Sequence, residues 1–199
     1  MAYLQKTFSK QGTALVGQLA DASAGENIHP MYSGEATIKL PFGSAVKHVP
    51  ASATPFAAQT GREANQLVKA PTAITENIFG IILHSHSNAY GDVVTLTAGA
   101  MFPNAAPFLT MDALVPGTNF NVLRQGRVYV KPESSSGVVP GARLFVRAVA
   151  GNSYEPGSLR GSADGIKTID CTNQGYWLTA PNAEGFAELE VDFVSKGGI

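Results

Sequence analysis

The sequence predicts an all-β fold: a β-sandwich or distorted β-barrel with an extended N-terminal arm, long loops and little helix. Three observations lead there. Apolar and polar residues alternate at a two-residue period in 35–40, 127–131, 143–148 and 187–193, while no helical stripe spans three turns. Gly and Pro are abundant, 21 and 12 of 199 residues, so turns and extended segments are frequent. Hydrophobic residues make up 44 %, enough for a core, but charged residues only 15 %, against a usual ~25 %. That low charge suits a surface partly covered by neighbours.

In chain order, residues 1–30 read as an arm, with Gly12, Gly17, Gly25 and Pro30 among small polar residues. Residues 31–199 read as the β-rich domain, with 99–118 the place where two subdomains would divide. In 34–49, Ala36, Ile38 and Leu40 alternate with Glu35, Thr37 and Lys39. Pro41, with no N–H to donate, is expected to end that ladder. Residues 50–73 lack a sustained period, and a short helical turn is expected at 63–69. The compact apolar run from Ile78 to His84 predicts a strand buried on both faces. Residues 92–97 are β-branched and strand-like, and 99–118, with three prolines and two glycines, form an irregular connection. Next, Val128 and Val130 alternate with Arg127, Tyr129 and Lys131, and Leu144, Val146 and Ala148 with Arg143 and Arg147. These are two strands around a connection of about ten residues, longer than a tight hairpin. Finally Ala187, Leu189, Val191 and Phe193 alternate with Glu188, Glu190 and Asp192, giving one core face and one acidic face.

A net charge of −1 provides no global field for nucleic acid. Locally, Arg124, Arg127, Lys131, Arg143 and Arg147 gather with only Glu133 against them, while Glu184, Glu188, Glu190 and Asp192 crowd the C-terminus. Pairing of the two groups, across strands or across a subunit boundary, is favoured over nucleic-acid binding. The single cysteine, Cys171, excludes an intrachain disulfide and a multi-cysteine metal knuckle, and its default reading is a small buried residue. Ala14-Leu15-Val16 is broken by Gly12 and Gly17, far short of a signal-peptide core, and the run 78–83 is too short to span a bilayer. A soluble protein made in the cytoplasm is expected.

His84-Ser85-His86 on a strand would point two imidazoles the same way, as cupin-type metalloenzymes do. That pattern needs a carboxylate soon after and a later histidine. Here Asp92 is the first acid, no histidine follows, and His29 and His48 lie upstream. A strand-end pair facing solvent or a subunit contact is favoured. No Gly-x-Ser-x-Gly elbow, phosphate loop or dinucleotide fingerprint occurs. No catalytic, cofactor-binding or metal residue is assigned, and no cofactor is expected. Trp177 reads as a core anchor with its indole N–H bonded, or as a hot spot at an oligomer contact.

Several stretches, in order, resemble the structural cement (head decoration) proteins of tailed phages. They are residues 17–21 (Gly-Gln-Leu-Ala-Asp), 40–46 (Leu-Pro-Phe-Gly-Ser-Ala-Val), 79–82 (Phe-Gly-Ile-Ile) and 90–94 (Tyr-Gly-Asp-Val-Val). Residues 126–130, 140–147 and 185–191 are similar to the family's paired and closing strands; 99–118 do not fit its pattern. The resemblance implies a virion structural protein on the capsid exterior, binding the assembled shell and stabilising it. Its implied partners are the major capsid protein and itself, a homo-oligomer with trimer favoured over dimer. It implies no enzyme activity, no direct nucleic-acid contact and no membrane. Other readings are a tail or adaptor part, a cupin-like metalloenzyme, or a carbohydrate-binding β module stacking through Trp177, Tyr176 and Tyr154.

Overall fold

The computed structural model describes residues 16–20, 27–34, 40–49, 67–84, 113–114, 119–151 and 154–194. The expected strand at 92–97, most of the connection 99–118 and residues 1–15 of the arm lie outside them. Twelve strands are described: β1 (Asn27–Ser33), β2 (Leu40–Pro41), β3 (Ala45–His48), β4 (Leu67–Lys69), β5 (Gly80–Ile82) and β6 (Ala113–Leu114). They continue with β7 (Asn119–Val130), β8 (Phe145–Arg147), β9 (Leu159–Arg160), β10 (Thr168–Asp170), β11 (Gly175–Trp177) and β12 (Ala187–Asp192). Among the described residues the helical content is one 3-10 turn, Gly165–Lys167. The fold is all-β.

The largest sheet runs β1-β4-β3-β5-β7-β12-β11, and β1 also pairs with β7, so β1, β4, β3, β5 and β7 close into a barrel. The one parallel contact in that ring is β1 with β4; β7 pairs antiparallel with β1, β5 and β12. A three-stranded sheet, β10-β8-β9, packs beside the barrel, and β2 with β6 forms a separate pair.

The closure creates two cores on opposite sides of shared strands. Met31, Val46, Val68, Ile82, Phe120 and Val122 belong to one cluster. Ala45, Ile81, Leu123, Val146, Trp177, Leu189 and Phe193 belong to the other. Adjacent residues on β3, β5 and β7 therefore point into different cores, as period-2 geometry requires. That is why Ile81 and Ile82 are both fully buried, each burial contributing roughly 1.5–3 kcal/mol. The strand predicted at 78–84 is buried on both faces, as its unbroken apolar run indicated. Gly80 is needed for close approach: a Cβ there would lie 2.5 Å from the Leu123 carbonyl oxygen.

β7 carries a bulge at Arg124. On β1, Asn27 faces Gln125 and Ile28 faces Leu123, so Arg124 has no counterpart. The extra residue flips the alternation: Leu123 before it and Val128 and Val130 after it all reach the same core. β1 lines β7 over 119–125 and β12 takes over along 125–130. Residues 16–20 also dock on this half of β7. The Gly17 and Ala20 N–H groups donate to the Tyr129 and Arg127 carbonyls (2.7 and 3.0 Å), and the His84 N–H donates to the Gly17 carbonyl (2.8 Å). Gly17 combines a φ of 78° with a Cβ position 2.8 Å from the His84 nitrogen, so only glycine fits there. β1 itself begins at Asn27, inside the stretch the sequence assigned to the arm.

Pro41 is the last residue of β2, paired with Ala113, so the ladder ends there as expected. Two local expectations differ from the structure. Of the helical turn expected at 63–69, residues 67–69 form a strand, because Leu67 and Val68 are buried and the segment bonds to both β1 and β3; 63–66 lie outside the described residues. The strands at 127–131 and 143–148 belong to different sheets. The closing strand β12 alternates strictly between buried and half-buried residues, as its sequence predicted.

Candidate functional site

β8 places Val146 in the large core and Arg147 on the opposite face. That face is not open to solvent, since the segment after β7 and the loop before the 3-10 turn fold over it. Arg147 is 2 % exposed. Its Nε and Nη2 donate to the two carboxylate oxygens of Glu133 at 2.7 Å each, and Nη2 also donates to Asp164 Oδ2 at 2.9 Å. Arg160 Nη1 reaches Glu133 at 2.6 Å and Asp164 at 3.1 Å. Two cations and two carboxylates thus saturate one another. The Glu133 carboxylate raises the Arg147 guanidinium above its ordinary value, against the effect of burial. The Arg147 bond holds the Asp164 carboxyl below the usual carboxylate range. With both carboxylates engaged, the cluster offers no general base; it fastens the loops at 133 and 164 to the sheet.

The opposite arrangement occurs on the outer face of β7, β12 and β11. Arg127, Glu190 and Tyr176 stand in one cross-strand row. Arg127 Nε donates to Glu190 Oε2 at 3.0 Å on an exposed surface. The hydrogen bond to Glu190 raises the Tyr176 phenol. The basic and acidic groups of the sequence therefore do pair here, through Arg127, whereas Arg147 finds different partners in Glu133 and Asp164. Lys131 and Arg143 are exposed.

At the barrel end, the partly buried ring of Phe79, just before β5, gathers side chains from three other barrel strands. His29 of β1 meets it edge-on with ring centroids 6.1 Å apart, and His48 of β3 lies tilted at 5.6 Å. The Arg124 guanidinium sits over the ring, 4.5 Å from its centroid. His84 lies against Phe42, ring centroids 4.9 Å apart, and His86 is outside the described residues. Among the described residues no group of three His, Cys, Asp or Glu side chains is placed to hold a metal.

Cys171 is fully buried, and burial pushes its thiol up to about 12. Trp177 is also fully buried, its indole N–H donating to the Arg160 carbonyl at 3.2 Å. It is a core anchor, withdrawn from any sugar-stacking face, while Tyr154 and Tyr176 remain exposed. Ile166 projects from the 3-10 turn at 82 % exposure, and Val149, whose N–H bonds the neighbouring Lys167 carbonyl, is exposed as well. A polar groove runs between Ile74–Asn77 and Asp170–Gln174. In it, burial pushes the Glu76 carboxyl up, but the Lys47 ammonium and the Thr72 and Ala73 amides outweigh burial and hold it low. Hydrogen bonds from Thr172 hold Asp170 low.

The pairing of Arg127 with the acidic strand, the buried Cys171 and the Trp177 anchor with its bonded indole were legible beforehand. The Arg147 cluster and the Phe79 cluster were not. A lone Glu133 amid five basic residues was the one available signal for the first. Nothing in the sequence marks the bulge that aims Arg124 at Phe79.

Comparison with known proteins settles the family. Residues 4–192 match the family described as structural cement protein (E217 gp24/Pam3 gp6). A chain in the capsid of Myoviridae phage XM1 shares the fold, with a TM-score of 0.53 and 12 % identity over 92 % of this chain and 93 % of that one. No curated protein matches significantly. Since the family match spans nearly its whole length, the chain belongs to the structural cement proteins of phages.

Proposed function

We propose that this chain seats on the outside of an assembled phage shell, contacts several major capsid protein subunits at once and stabilises the lattice. The carrying observation is the cement-family match over residues 4–192. The geometry is consistent with a binding rather than a chemical role: the buried carboxylates are saturated by guanidinium groups, the lone thiol is buried, and exposed apolar side chains such as Ile166 and Val149 are scattered over the surface.

The protein acts as a homo-oligomer, with a trimer favoured. It binds the shell far more tightly than isolated shell subunits, because only the lattice presents repeated contacts at fixed spacing. Residues 1–15, which lack the apolar density for a core of their own, contribute to attachment.

The test is to add the purified protein to shells lacking it, then measure co-sedimentation and the temperature at which the shells break. Binding with a raised breaking temperature supports the reading. Failure to bind, or localisation to the tail in virion images, overturns it. A variant lacking residues 1–15 that still folds yet protects shells fully would remove the arm from the mechanism.

A further inference from the structure

Exposed apolar side chains are spread over the surface, and a single one needs no explanation. Around the 3-10 turn, however, three stand together on a braced scaffold. Ile166 is more exposed than any other large apolar side chain among the described residues, and Val149 and Tyr154 are exposed beside it. Val149 adjoins the turn because its N–H and that of Ala148 donate to the Lys167 carbonyl at 3.3 and 2.8 Å. Tyr154 adjoins it because Gly151, its bridge partner, lies against Lys167: a Cβ there would stand 3.4 Å from Lys167 Nζ. The start of the turn is fixed as firmly as its end. The Lys167 N–H donates to the Asp164 carbonyl at 3.0 Å, and Arg147 and Arg160 hold the Asp164 carboxylate at 2.9 and 3.1 Å. The four-charge cluster thus braces a turn whose tip carries an isoleucine into solvent.

We infer that Ile166, with Val149 and Tyr154 at its base, is the apolar anchor by which the chain seats in a cleft of a shell subunit. The inference rests on the cement reading and names one contact within it. Uncovered, these side chains leave apolar surface in water, and a docking partner removes that surface. A braced turn meets the partner already shaped, so little freedom is lost on docking. The occupant is the shell rather than a second copy on grounds of area. A stable pair of subunits buries roughly 800 Å² on each side, and three side chains supply only a fraction of that. On a lattice the same small contact recurs at many sites and adds up by avidity. A twofold pairing centred on Ile166 would moreover bring each Lys167 toward its counterpart. A small ligand or sugar is a poor fit, since the isoleucine tip is convex and offers no hydrogen bond.

The experiment compares wild type, Ile166→Ser, Ile166→Leu and the control Ile74→Ser for binding to purified shells lacking the protein, with thermal unfolding and solution mass recorded for each. Ile74 is likewise exposed but lies between β4 and β5. Ile166→Ser should unfold at the wild-type temperature, since so exposed a side chain touches little of its own subunit, yet bind shells ~10-fold or more weakly. Ile166→Leu should keep most of the binding, having the same apolar volume, and Ile74→Ser should bind as wild type. If Ile166→Ser fails to fold, Val149→Thr, which keeps the shape and replaces a methyl by a hydroxyl, takes its place and should weaken binding too. Wild-type binding by the serine variant, or by its replacement, overturns the inference, as does equal loss in Ile74→Ser. So does a loss that appears as a smaller oligomer mass, which would assign the anchor to a second copy. Absence of wild-type binding would instead sink the cement reading itself.

Discussion

Arg127 and Arg147 occupy equivalent places in the sequence, each a basic residue flanked by apolar residues in an alternating strand, and the fold uses them in opposite ways. Arg127 lies on the open face of β7 and meets Glu190 with side chains 46 % and 32 % exposed. Arg147 lies under folded-over loops and meets Glu133 with side chains 3 % and 2 % exposed. The first pair is screened by water and contributes little. The second has lost its hydration, so its worth depends on completeness: each charge is tolerable only while its partners remain. The lesson is that a salt bridge is read from its cover, not its distance, since 3.0 and 2.7 Å differ far less than the burial does.

The sharpest way to break this comparison is Glu133→Ala. It leaves the interior Arg147 with Asp164 as its remaining ion partner and should cost about 3–5 kcal/mol, measured by urea unfolding; a loss comparable to an exposed pair would show that water reaches the cluster. Replacing both partners, Glu133→Leu with Arg147→Met, should recover more than half of that loss, because no buried charge is left unpaired. A double variant as unstable as the single would show that the loops need polar fastening. Acid should separate the regions next. Asp164, Asp170 and Glu76 are all held below the usual carboxylate range. Their contribution is therefore present above the unfolded value of ~4 and lost as pH falls through the lower folded values. The unfolding temperature should stay level from neutrality to about pH 5 and drop below about pH 4, less steeply in Asp164→Asn. The thiol of Cys171 should resist maleimide in the folded protein at pH 8 and react once urea unfolds it. Smallest of all, Arg127→Ala should change stability by no more than ~0.2–1 kcal/mol, declining with added salt.

Much of the architecture was legible because period-2 patterning is a local property. β12 presents Ala187, Leu189 and Val191 inward and Glu188, Glu190 and Asp192 outward, and no neighbour is needed to predict it. The buried strand at 80–82 was equally plain, since an apolar run with no polar face has nowhere to go but between two cores. Trp177 as a core anchor follows from its size and its single donor. The family, too, was visible in the order of short stretches along the chain.

The sequence by itself therefore determined the strands around 80–82, 127–130, 145–147 and 187–192 and the alternation of their faces, and among the described residues no long helix intervenes. Tertiary structure alone decided what the wet faces meet. Alternation fixes that Arg147 points away from Val146, but whether it points into water depends on where residues 133 and 164 return, fourteen and seventeen positions away. The bulge at Arg124 is likewise a matter of register between β1 and β7, segments nearly a hundred residues apart. The physical reason is that side-chain direction is set by a residue's own backbone, whereas burial and charge pairing are set by whichever distant surface arrives to cover it.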